Sequence, residues 1–258
     1  MNKIIFFGNG PLADTALEVL KRKFEIVFHA RTKEDLEKVK EIKKEAPETH
    51  GVLASFGVII REDVLNLFEP EGILNIHPSL LPLYRGASPI ESAILSGDTD
   101  FSVSIMKLAK AMDAGPVYYQ ETFNDLPLVK SEIYRALATA GAEWICENLN
   151  NLPTPVEQDD ARATFCGKLD KSMSILHPET ESAEEIYRKI VAFQGFPKAK
   201  YAFYGKNCAI LEAHICKPSE AAVLTIPCSD GVLVAVDRLQ PDGKNPMDAK
   251  SFLNGYAK

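Results

Sequence analysis

Several features that would restrict the function of this protein are missing from its sequence. No run of about 18 apolar residues occurs, so no segment is long enough for a membrane-spanning helix. The N-terminal residues lack the cleavage site of a secretory signal peptide. The five cysteines include no C-x-x-C pair, and the five histidines are not spaced with them as zinc ligands are. We therefore expect a cytoplasmic protein with reduced thiols, no membrane segment and no metal.

An excess of positive charge is also missing, since the net charge is −7. This balance does not favour binding to nucleic acid. The acidity is uneven, however: residues 1–163 carry 17 Lys/Arg against 25 Asp/Glu, whereas residues 164–258 carry 12 against 11. A polyanionic partner would therefore meet less repulsion at the second part of the chain.

The order of apolar runs divides the sequence into two parts. In the first part, short apolar runs alternate with amphipathic helical patterns, which is typical of a parallel sheet covered by helices on both faces. A stretch rich in Pro, Asn and Asp follows. Beyond it, β-like runs recur at a spacing of roughly ten residues, which indicates a small β-barrel. We predict an α/β domain over residues 1–152, a linker over residues 153–165 and a β-barrel domain over residues 166–258.

The first turn of the chain carries a motif that is typical of nucleotide binding. Gly8-Asn9-Gly10-Pro11-Leu12-Ala13 matches G-x-G-x-x-A between a predicted strand and a predicted helix. The second strand ends in His29-Ala30-Arg31, where an arginine would suit the 2′-phosphate of NADP. An NADP-dependent oxidoreductase is therefore one hypothesis. The alternative is that the two glycines only permit a tight turn from strand to helix.

A more specific pattern begins at the end of a later apolar run. Asn75 and His77 are two residues apart, so their side chains share one face of an extended strand. The loop that follows contains three prolines, which stiffen it, and Gly86, which allows another backbone to approach closely. Because ligands bind at the carboxyl ends of strands in open α/β sheets, this segment is a candidate site.

Asp113 follows the next predicted strand, and we expect it at the same edge of the sheet as Asn75 and His77. An aspartate before Ala-Gly-Pro could also be a simple turn residue. The three side chains together fit acyl transfer to an amine without a covalent intermediate. Asn75 would donate to the developing oxyanion, and His77, if protonated, would add a charge-assisted donor. Asp113 would hold His77 in its charged form and accept the proton of the amine.

A set of closely spaced motifs resembles the 10-formyltetrahydrofolate-dependent formyltransferases over residues 3–152. These motifs are Asn75-x-His77, Ser79-Leu80-Leu81-Pro82, Arg85-Gly86 and Asp113. The resemblance implies a Rossmann-like parallel-sheet formyltransferase domain in which Asn75, His77 and Asp113 are catalytic. It implies 10-formyltetrahydrofolate as the formyl donor, bound along the Ser-Leu-Leu-Pro loop. It also implies that the dinucleotide-like first turn does not bind NAD(P).

Three stretches of the second part are similar to the C-terminal domain of the formyltransferases that act on methionyl-tRNA. They are Gly167–Lys171, Ala192–Pro197 and Leu239–Met247. The resemblance implies that residues 166–258 form an OB-like barrel that binds tRNA, with initiator methionyl-tRNA as the acceptor amine. We expect the protein to act as a monomer, with folate and tRNA as its partners.

One segment departs from those enzymes. Only residues 30–50 join the second and third strands, and they lack the basic loop that contacts the tRNA acceptor end in those enzymes. The lysines here are interleaved with glutamates, as on a solvated helix face. The acceptor therefore stays open: the same three residues could serve a sugar-nucleotide amine, or hydrolyse formyltetrahydrofolate. A catalytically silent tRNA-binding protein is a further hypothesis. Whether Arg85 contacts folate or braces its loop is open as well.

Overall fold

The computed structural model describes residues 1–257 and divides them into two compact units. The first unit contains Met1–Ile90 and Thr99–Gly167, and the second contains Glu91–Asp98 and the residues from Lys168 onward. Residues 153–165, the predicted linker, are counted with the first unit. The catalytic and tRNA-binding roles of the two parts, and the linker itself, stay predictions.

Strands and helices alternate along residues 3–77, as the apolar pattern predicts. The strands up to residue 166 are β1 (Lys3–Gly8), β2 (Glu25–Ala30), β3 (His50–Ala54), β4 (Ile73–His77), β5 (Arg85–Gly86), β6 (Phe101–Lys107), β7 (Val117–Phe123) and β8 (Phe165–Cys166). The helices are α1 (Pro11–Leu20), α2 (Asp35–Glu45), α3 (Glu62–Leu65), α4 (Pro89–Ser96) and α5 (Lys130–Asn148). Short 3-10 helices cover Asn66–Phe68 and Asp160–Arg162.

Six of these strands form one sheet in the order β2-β1-β3-β4-β6-β7. The strands β2, β1, β3 and β4 are parallel, which confirms the predicted Rossmann-like parallel sheet. In contrast, β6 runs antiparallel to β4, and β7 runs antiparallel to β6. Only residues 108–116 connect β6 to β7, and so short a connection cannot hold the crossover helix that parallel neighbours need.

Strand β4 lies inside the sheet, and all of its residues are buried. Ile76 projects towards α5, where Gly141 lets the helix approach: a Cβ at position 141 would lie 2.8 Å from Ile76 Cγ2. Burying a side chain of this size stabilises the fold by about 1.5–3 kcal/mol. Asn75 and His77 alternate with Ile76 and therefore project from the other face of the sheet. Packing behind Ile76 thus fixes the strand that carries both polar side chains.

The turn between β1 and α1 has a structural reason for its glycine. A Cβ at Gly8 would lie 2.0 Å from the backbone oxygen of Ala54 on β3 and 2.9 Å from the Cβ of Ala13 on α1. The imidazole Nε2 of His29 also donates to the Gly8 oxygen at 2.9 Å. Close packing of β1 against β3 and α1 therefore requires glycine at this position, whatever the turn binds.

The second unit is built on an antiparallel sheet. Its strands are β9 (Lys200–Phe203), β10 (Lys206–Ile215), β11 (Thr225–Pro227), β12 (Leu233–Pro241) and β13 (Met247–Asp248), and its later helices are α6 (Ala183–Ala192) and α7 (Ala249–Tyr256). The order is β11-β12-β10-β9, with β13 paired to β12. The prediction of an OB-like β domain is confirmed, in the form of a half-barrel. A capping box of Ser182 and Glu185 begins α6 and contributes about 1 kcal/mol.

His214 on this half-barrel is held between two carboxylates. Its Nε2 lies 2.7 Å from Glu220 Oε1, and its Nδ1 lies 2.8 Å from Asp237 Oδ2. The hydrogen bond to Glu220, and then that to Asp237, raise the pKa of His214 above its usual value. Because the folded pKa is raised, the stabilisation is complete below the unfolded pKa of about 6.5 and is lost as the pH rises through the folded pKa.

No helix within residues 1–257 combines the length and the apolar composition that crossing a membrane requires.

We predict that Gly8→Ala lowers the free energy of unfolding by about 1–3 kcal/mol, because the added methyl group meets fixed backbone rather than a movable side chain. Chemical denaturation of both proteins measures the difference. Gly167→Ala is the matched control, since a Cβ there meets no atom within 4 Å of the described structure. Equal effects of the two substitutions would contradict the packing role of Gly8.

Candidate active site

Asn75 and His77 lie side by side on the face of β4 that is turned away from α5. Each is only 4% exposed, so both polar side chains are removed from bulk water. Within residues 1–257, the side-chain amide of Asn75 has no hydrogen-bond partner. Its polar atoms are not fully enclosed, because within residues 1–257 the fully buried side-chain atom without a partner is Thr49 Oγ1. The amide of Asn75 is therefore available to donate to a ligand oxygen.

The two ring nitrogens of His77 have different surroundings. Nε2 lies 3.2 Å from the Tyr84 oxygen, and because a carbonyl only accepts, Nε2 carries the proton of this hydrogen bond. Nδ1 faces Asp113 Oδ1 at 3.7 Å. Burial lowers the pKa of His77, although the charge of Asp113 and the bond to Tyr84 oppose this effect. Burial thus disfavours the charged imidazolium, and in the neutral ring that donates from Nε2 the lone pair lies on Nδ1.

Asp113 reaches His77 by a route that the sequence did not predict. Because β6 is antiparallel to β4, Ser104 pairs with His77, and Lys107 at the end of β6 pairs with Leu74. Asp113 lies beside His77 as expected, with Oδ1 3.7 Å from Nδ1, but the strand ends at the opposite edge of the sheet and does not itself bring the two together. Instead, residues 108–116 fold back over the face that carries His77. The structure thereby brings together the three residues that the sequence singled out.

The carboxylate of Asp113 is held by one of its two oxygens. Oδ2 accepts a hydrogen bond of 2.8 Å from the backbone N–H of Gly86. Oδ1 is left facing His77 Nδ1. Asp113 also has a φ of 49°, a left-handed conformation that costs free energy for a residue other than glycine. Its position is therefore maintained by contacts from outside its own loop.

Gly86 permits the closest of these contacts. A Cβ at Gly86 would lie 1.9 Å from the backbone oxygen of Cys166, so only glycine allows β5 to pair with β8. This pairing holds the loop after β4 against β8, which follows the 3-10 helix that ends at Arg162. Close backbone approach at Gly86 was expected from the sequence, but the two-residue strands β5 and β8 were not, because they are too short to produce a periodic pattern.

The loop predicted to line a folate site is fixed by polar contacts from two strands. The Ser104 hydroxyl donates to the Ser79 oxygen at 2.6 Å and accepts from the Leu81 N–H at 3.1 Å. Gln120 donates to the Leu81 oxygen at 2.8 Å and to Ser104 Oγ at 2.9 Å. The Ser79 hydroxyl itself donates to the Leu83 oxygen at 2.6 Å. The sequence analysis missed Ser104 and Gln120, whose strands gave no sign that they face this loop.

The four residues of this loop differ in what they can offer a ligand. Leu80 is 40% exposed, whereas Leu81 is 4% exposed and packs into the core. The Pro82 oxygen accepts from the Thr164 N–H at 3.2 Å. Leu80 is therefore the member of the set whose apolar side chain is accessible, and a contact of Ser79, Leu81 or Pro82 with folate would involve backbone or partly covered atoms. Folate binding by this loop stays a prediction.

Arg85 braces the active-site loop. Its side chain is 4% exposed. The guanidinium donates twice to Gln158 Oε1, at 3.0 Å and 2.9 Å, and once to Asp160 Oδ1 at 2.7 Å. Of the two roles considered for Arg85, the structure therefore shows bracing. Gln158 and Asp160 lie more than 70 positions away in the predicted linker, and no spacing in the sequence connects them to Arg85.

Comparisons with known proteins match both parts of the chain. The family described as formyl transferase matches residues 9–149, and the family described as formyl transferase, C-terminal domain, matches residues 168–257. A protein of Granulibacter bethesdensis named methionyl-tRNA formyltransferase is 34% identical over 220 residues, covering 80% of this chain and 68% of that protein. The protein of the same name from Jannaschia sp. is 36% identical over 213 residues, covering 80% and 70%.

Solved structures share the fold at lower identity. HypX from Aquifex aeolicus in complex with tetrahydrofolic acid superposes with a TM-score of 0.76 at 18% identity, and this chain, which it covers completely, spans about half (48%) of HypX. Methionyl-tRNA formyltransferase from Clostridium thermocellum superposes with a TM-score of 0.70 at 20% identity, covering 93% of this chain and 98% of that one. A sugar N-formyltransferase from Shewanella gives 0.61 at 16% identity, with coverages of 82% and 97%. At these identities the likeness is one of fold.

We predict that His77 and His214 titrate in opposite directions from the usual histidine pKa of about 6.5. Burial lowers the pKa of His77, whereas Glu220 and Asp237 raise that of His214. An NMR titration of the imidazole signals measures both in one sample. At pH 6.5, His77 should be mostly neutral and His214 mostly protonated.

Asp113→Asn should lower the pKa of His77 further, because the carboxylate is what opposes the effect of burial. The His214 signals serve as the internal control and should not move. A higher His77 pKa in this variant would contradict the electrostatic account of the pair.

Proposed function

Because this chain belongs to the formyl transferase family, we propose that it transfers the formyl group of 10-formyltetrahydrofolate to the amino group of initiator methionyl-tRNA. The observation that carries this proposal is the sequence identity of 34–37% over 80% of the chain with proteins named methionyl-tRNA formyltransferase. Both the catalytic family and the C-terminal family are matched in one chain, which supports an acceptor that needs both parts.

The donor would bind along residues 79–82. Hydrogen bonds from Ser104 and Gln120 hold this loop in one conformation, so little ordering is needed when a ligand binds. Leu80 offers the loop's exposed apolar surface to an aromatic ring system. The formyl group would then lie beside Asn75 and His77, which directly precede the loop. HypX, which shares the fold, has been solved with tetrahydrofolic acid.

Asn75 would stabilise the charge that develops on the formyl oxygen. When the amine attacks the formyl carbon, the new C–N bond forms and the carbonyl electrons move to oxygen. A donor that is fixed beforehand in a site screened from water stabilises such an oxyanion strongly. Asn75 is 4% exposed and lies on the buried strand β4, which fixes its position and supports this role.

His77 and Asp113 would carry the proton. The attacking amine becomes positively charged. Oδ2 of Asp113 already accepts a hydrogen bond from the Gly86 N–H, so Oδ1 can accept one from the amine. Neutral His77 can take the proton at Nδ1, since Nε2 already donates to Tyr84. The imidazolium formed is stabilised by the adjacent carboxylate. The proton then passes to N10 of the folate as the C–N10 bond breaks, so the products are the formylated amine and tetrahydrofolate.

The acceptor tRNA would be bound without a basic loop after β2. Two lysines of α2 pair with nearby carboxylates: Lys38 with Glu41 at 2.9 Å, and Lys40 with Glu37 at 3.0 Å and Asp63 at 2.7 Å. We therefore assign tRNA binding to the half-barrel unit, whose part of the sequence lacks the acidity of the first. Since one chain supplies all three catalytic side chains, a monomer acting in the cytoplasm would suffice.

The direct test incubates the protein with 10-formyltetrahydrofolate and charged initiator tRNA and detects formyl-methionine after hydrolysis of the tRNA ester. We expect one formyl-methionine for each tetrahydrofolate released. Parallel reactions with an amino-sugar nucleotide, and with no acceptor at all, measure the two alternative outcomes of the same chemistry. Turnover of the amino sugar without formyl-methionine would overturn the tRNA assignment, and equal release of tetrahydrofolate without any acceptor would indicate a hydrolase.

We predict that Asn75→Ala lowers kcat for this transfer by about 100- to 1000-fold while the KM for the donor changes little, as expected when an oxyanion donor is removed. Steady-state kinetics with both substrates measures the two constants. Asn148→Ala is the matched control, because it removes an amide that bonds the Trp144 oxygen in α5, outside the site. A kcat within a few-fold of that control would remove Asn75 from the mechanism.

A further inference from the structure

Gln158 contacts the active site although it lies outside both family matches. The matches end at residue 149 and resume at residue 168, so residues 150–167 belong to neither. In the first unit, this segment is anchored on both sides of Gln158. Val156 forms a β-bridge with Val117, and Thr164 accepts a hydrogen bond of 2.8 Å from the Tyr84 N–H. Gln158 is therefore held in place as part of a fixed segment.

The Gln158 amide forms two hydrogen bonds with the turn that carries Asp113. Its Nε2 donates to the Asp113 oxygen at 2.8 Å and to the Gly115 oxygen at 2.7 Å. Both protons of one amide group are used on two carbonyls of the same short loop. One of these bonds ends on Asp113 itself, the residue with positive φ, where the backbone is least able to hold its conformation by itself.

Arg85 determines which way the Gln158 amide points. The Gln158 oxygen accepts from Arg85 Nε and Nη2, both of which can only donate. If the amide were flipped, its NH2 group would face the N–H groups of the Arg85 guanidinium. Its oxygen would face the carbonyl oxygens of Asp113 and Gly115. Asp160, whose side chain is 81% exposed, accepts a hydrogen bond from the same guanidinium. Gln158 consequently has one favourable orientation.

The dipeptide Arg85-Gly86 thus fixes Asp113 at two points, its backbone and its carboxylate. Gly86 N–H bonds the Asp113 carboxylate directly, and Arg85 acts on the Asp113 backbone through Gln158. Moving the Gln158 amide would release the backbone of the turn, and the single hydrogen bond from Gly86 would not hold the carboxylate in place. The distance of Asp113 Oδ1 from His77 Nδ1 would then no longer be set.

We infer that Gln158 is a positioning residue for formyl transfer, holding Asp113 against His77 through the two carbonyls of the 113–115 turn. This inference rests on the proposed function for its kinetic consequence only. The placement of Asp113 can be measured without any substrate.

The first experiment records the backbone amide signal of Gly86 by NMR in the full-length protein. This N–H donates to Asp113 Oδ2, so its proton shift reports where the carboxylate lies. Asp113→Ala defines the signal without the carboxylate. We expect Gln158→Ala and Gln158→Glu to move the signal at least half of the way towards that reference. Gln158→Glu keeps the size of the side chain and an acceptor for Arg85, so it preserves the fold while removing the two donors.

Asp159→Ala is the matched control in the same segment. Asp159 accepts from the Ala161 N–H at the start of the 3-10 helix, and its removal costs a hydrogen bond without touching the Asp113 turn. The Gly86 signal of this variant should stay at the wild-type position. A Gly86 signal that does not move in either Gln158 variant, or moves equally in Asp159→Ala, would overturn the inference.

The second experiment compares the kinetics of formyl transfer. A displacement of about 1 Å in a catalytic group costs on the order of 100-fold, so we expect kcat to fall by about 30- to 100-fold in both Gln158 variants. The KM values for donor and acceptor should stay within about twofold, as should kcat of Asp159→Ala. An unchanged kcat alongside a displaced Gly86 signal would overturn the catalytic role of Gln158. If the wild-type protein transfers no formyl group, the proposed function fails, while the Gly86 signal still decides the positioning of Asp113.

Discussion

The direction of β6 is the constraint on which the geometry of this site depends. Were β6 parallel to β4, Asp113 would follow its end at the edge that carries His77, without help. Because β6 is antiparallel, the chain leaves the sheet at the far edge, and residues 108–116 must bring the carboxylate back over the sheet face. Such a loop has no sheet hydrogen bonds of its own to hold its tip. Its conformation must be set by neighbours, at a residue whose φ is positive.

The neighbours that set it come from distant parts of the sequence. Gly86 holds the carboxylate, and Arg85 holds Gln158, which holds the backbone. In this way the loop after β4 serves two purposes: it would line the donor site and it fixes the carboxylate that serves the acceptor. The side chains proposed to perform the chemistry are then fixed before any substrate arrives, which is the condition under which dipoles and charges stabilise a transition state most effectively.

Local patterns were sufficient to predict much of this arrangement, because they depend on neighbours in sequence. The spacing of Asn75 and His77 places both on one face of β4 and Ile76 on the other, as the contact of Ile76 with Gly141 shows. The parallel sheet of the first unit and the OB-like β domain of the second were also predicted correctly. The direction of β6 was not, because α4 lies between β4 and β6 just as a crossover helix would. Strand β7 was not predicted, although its tyrosines and β-branched residues are typical of a strand. Had it been recognised, the short connection of residues 108–116 would have indicated that β6 and β7 are antiparallel. Nothing in the sequence indicated the roles of Gln158 and Ser104, because these roles arise only when distant segments meet in the fold.

The central claim is that the formyl group reacts between Asn75, His77 and Asp113. It is tested most directly by a crystal structure of the protein with a non-reacting folate analogue that carries a formyl group on N10. We expect the formyl oxygen within about 3.2 Å of Asn75 Nδ2, and the folate in contact with residues 79–82. A folate whose formyl group lies beyond hydrogen-bonding distance of all three side chains would contradict the account.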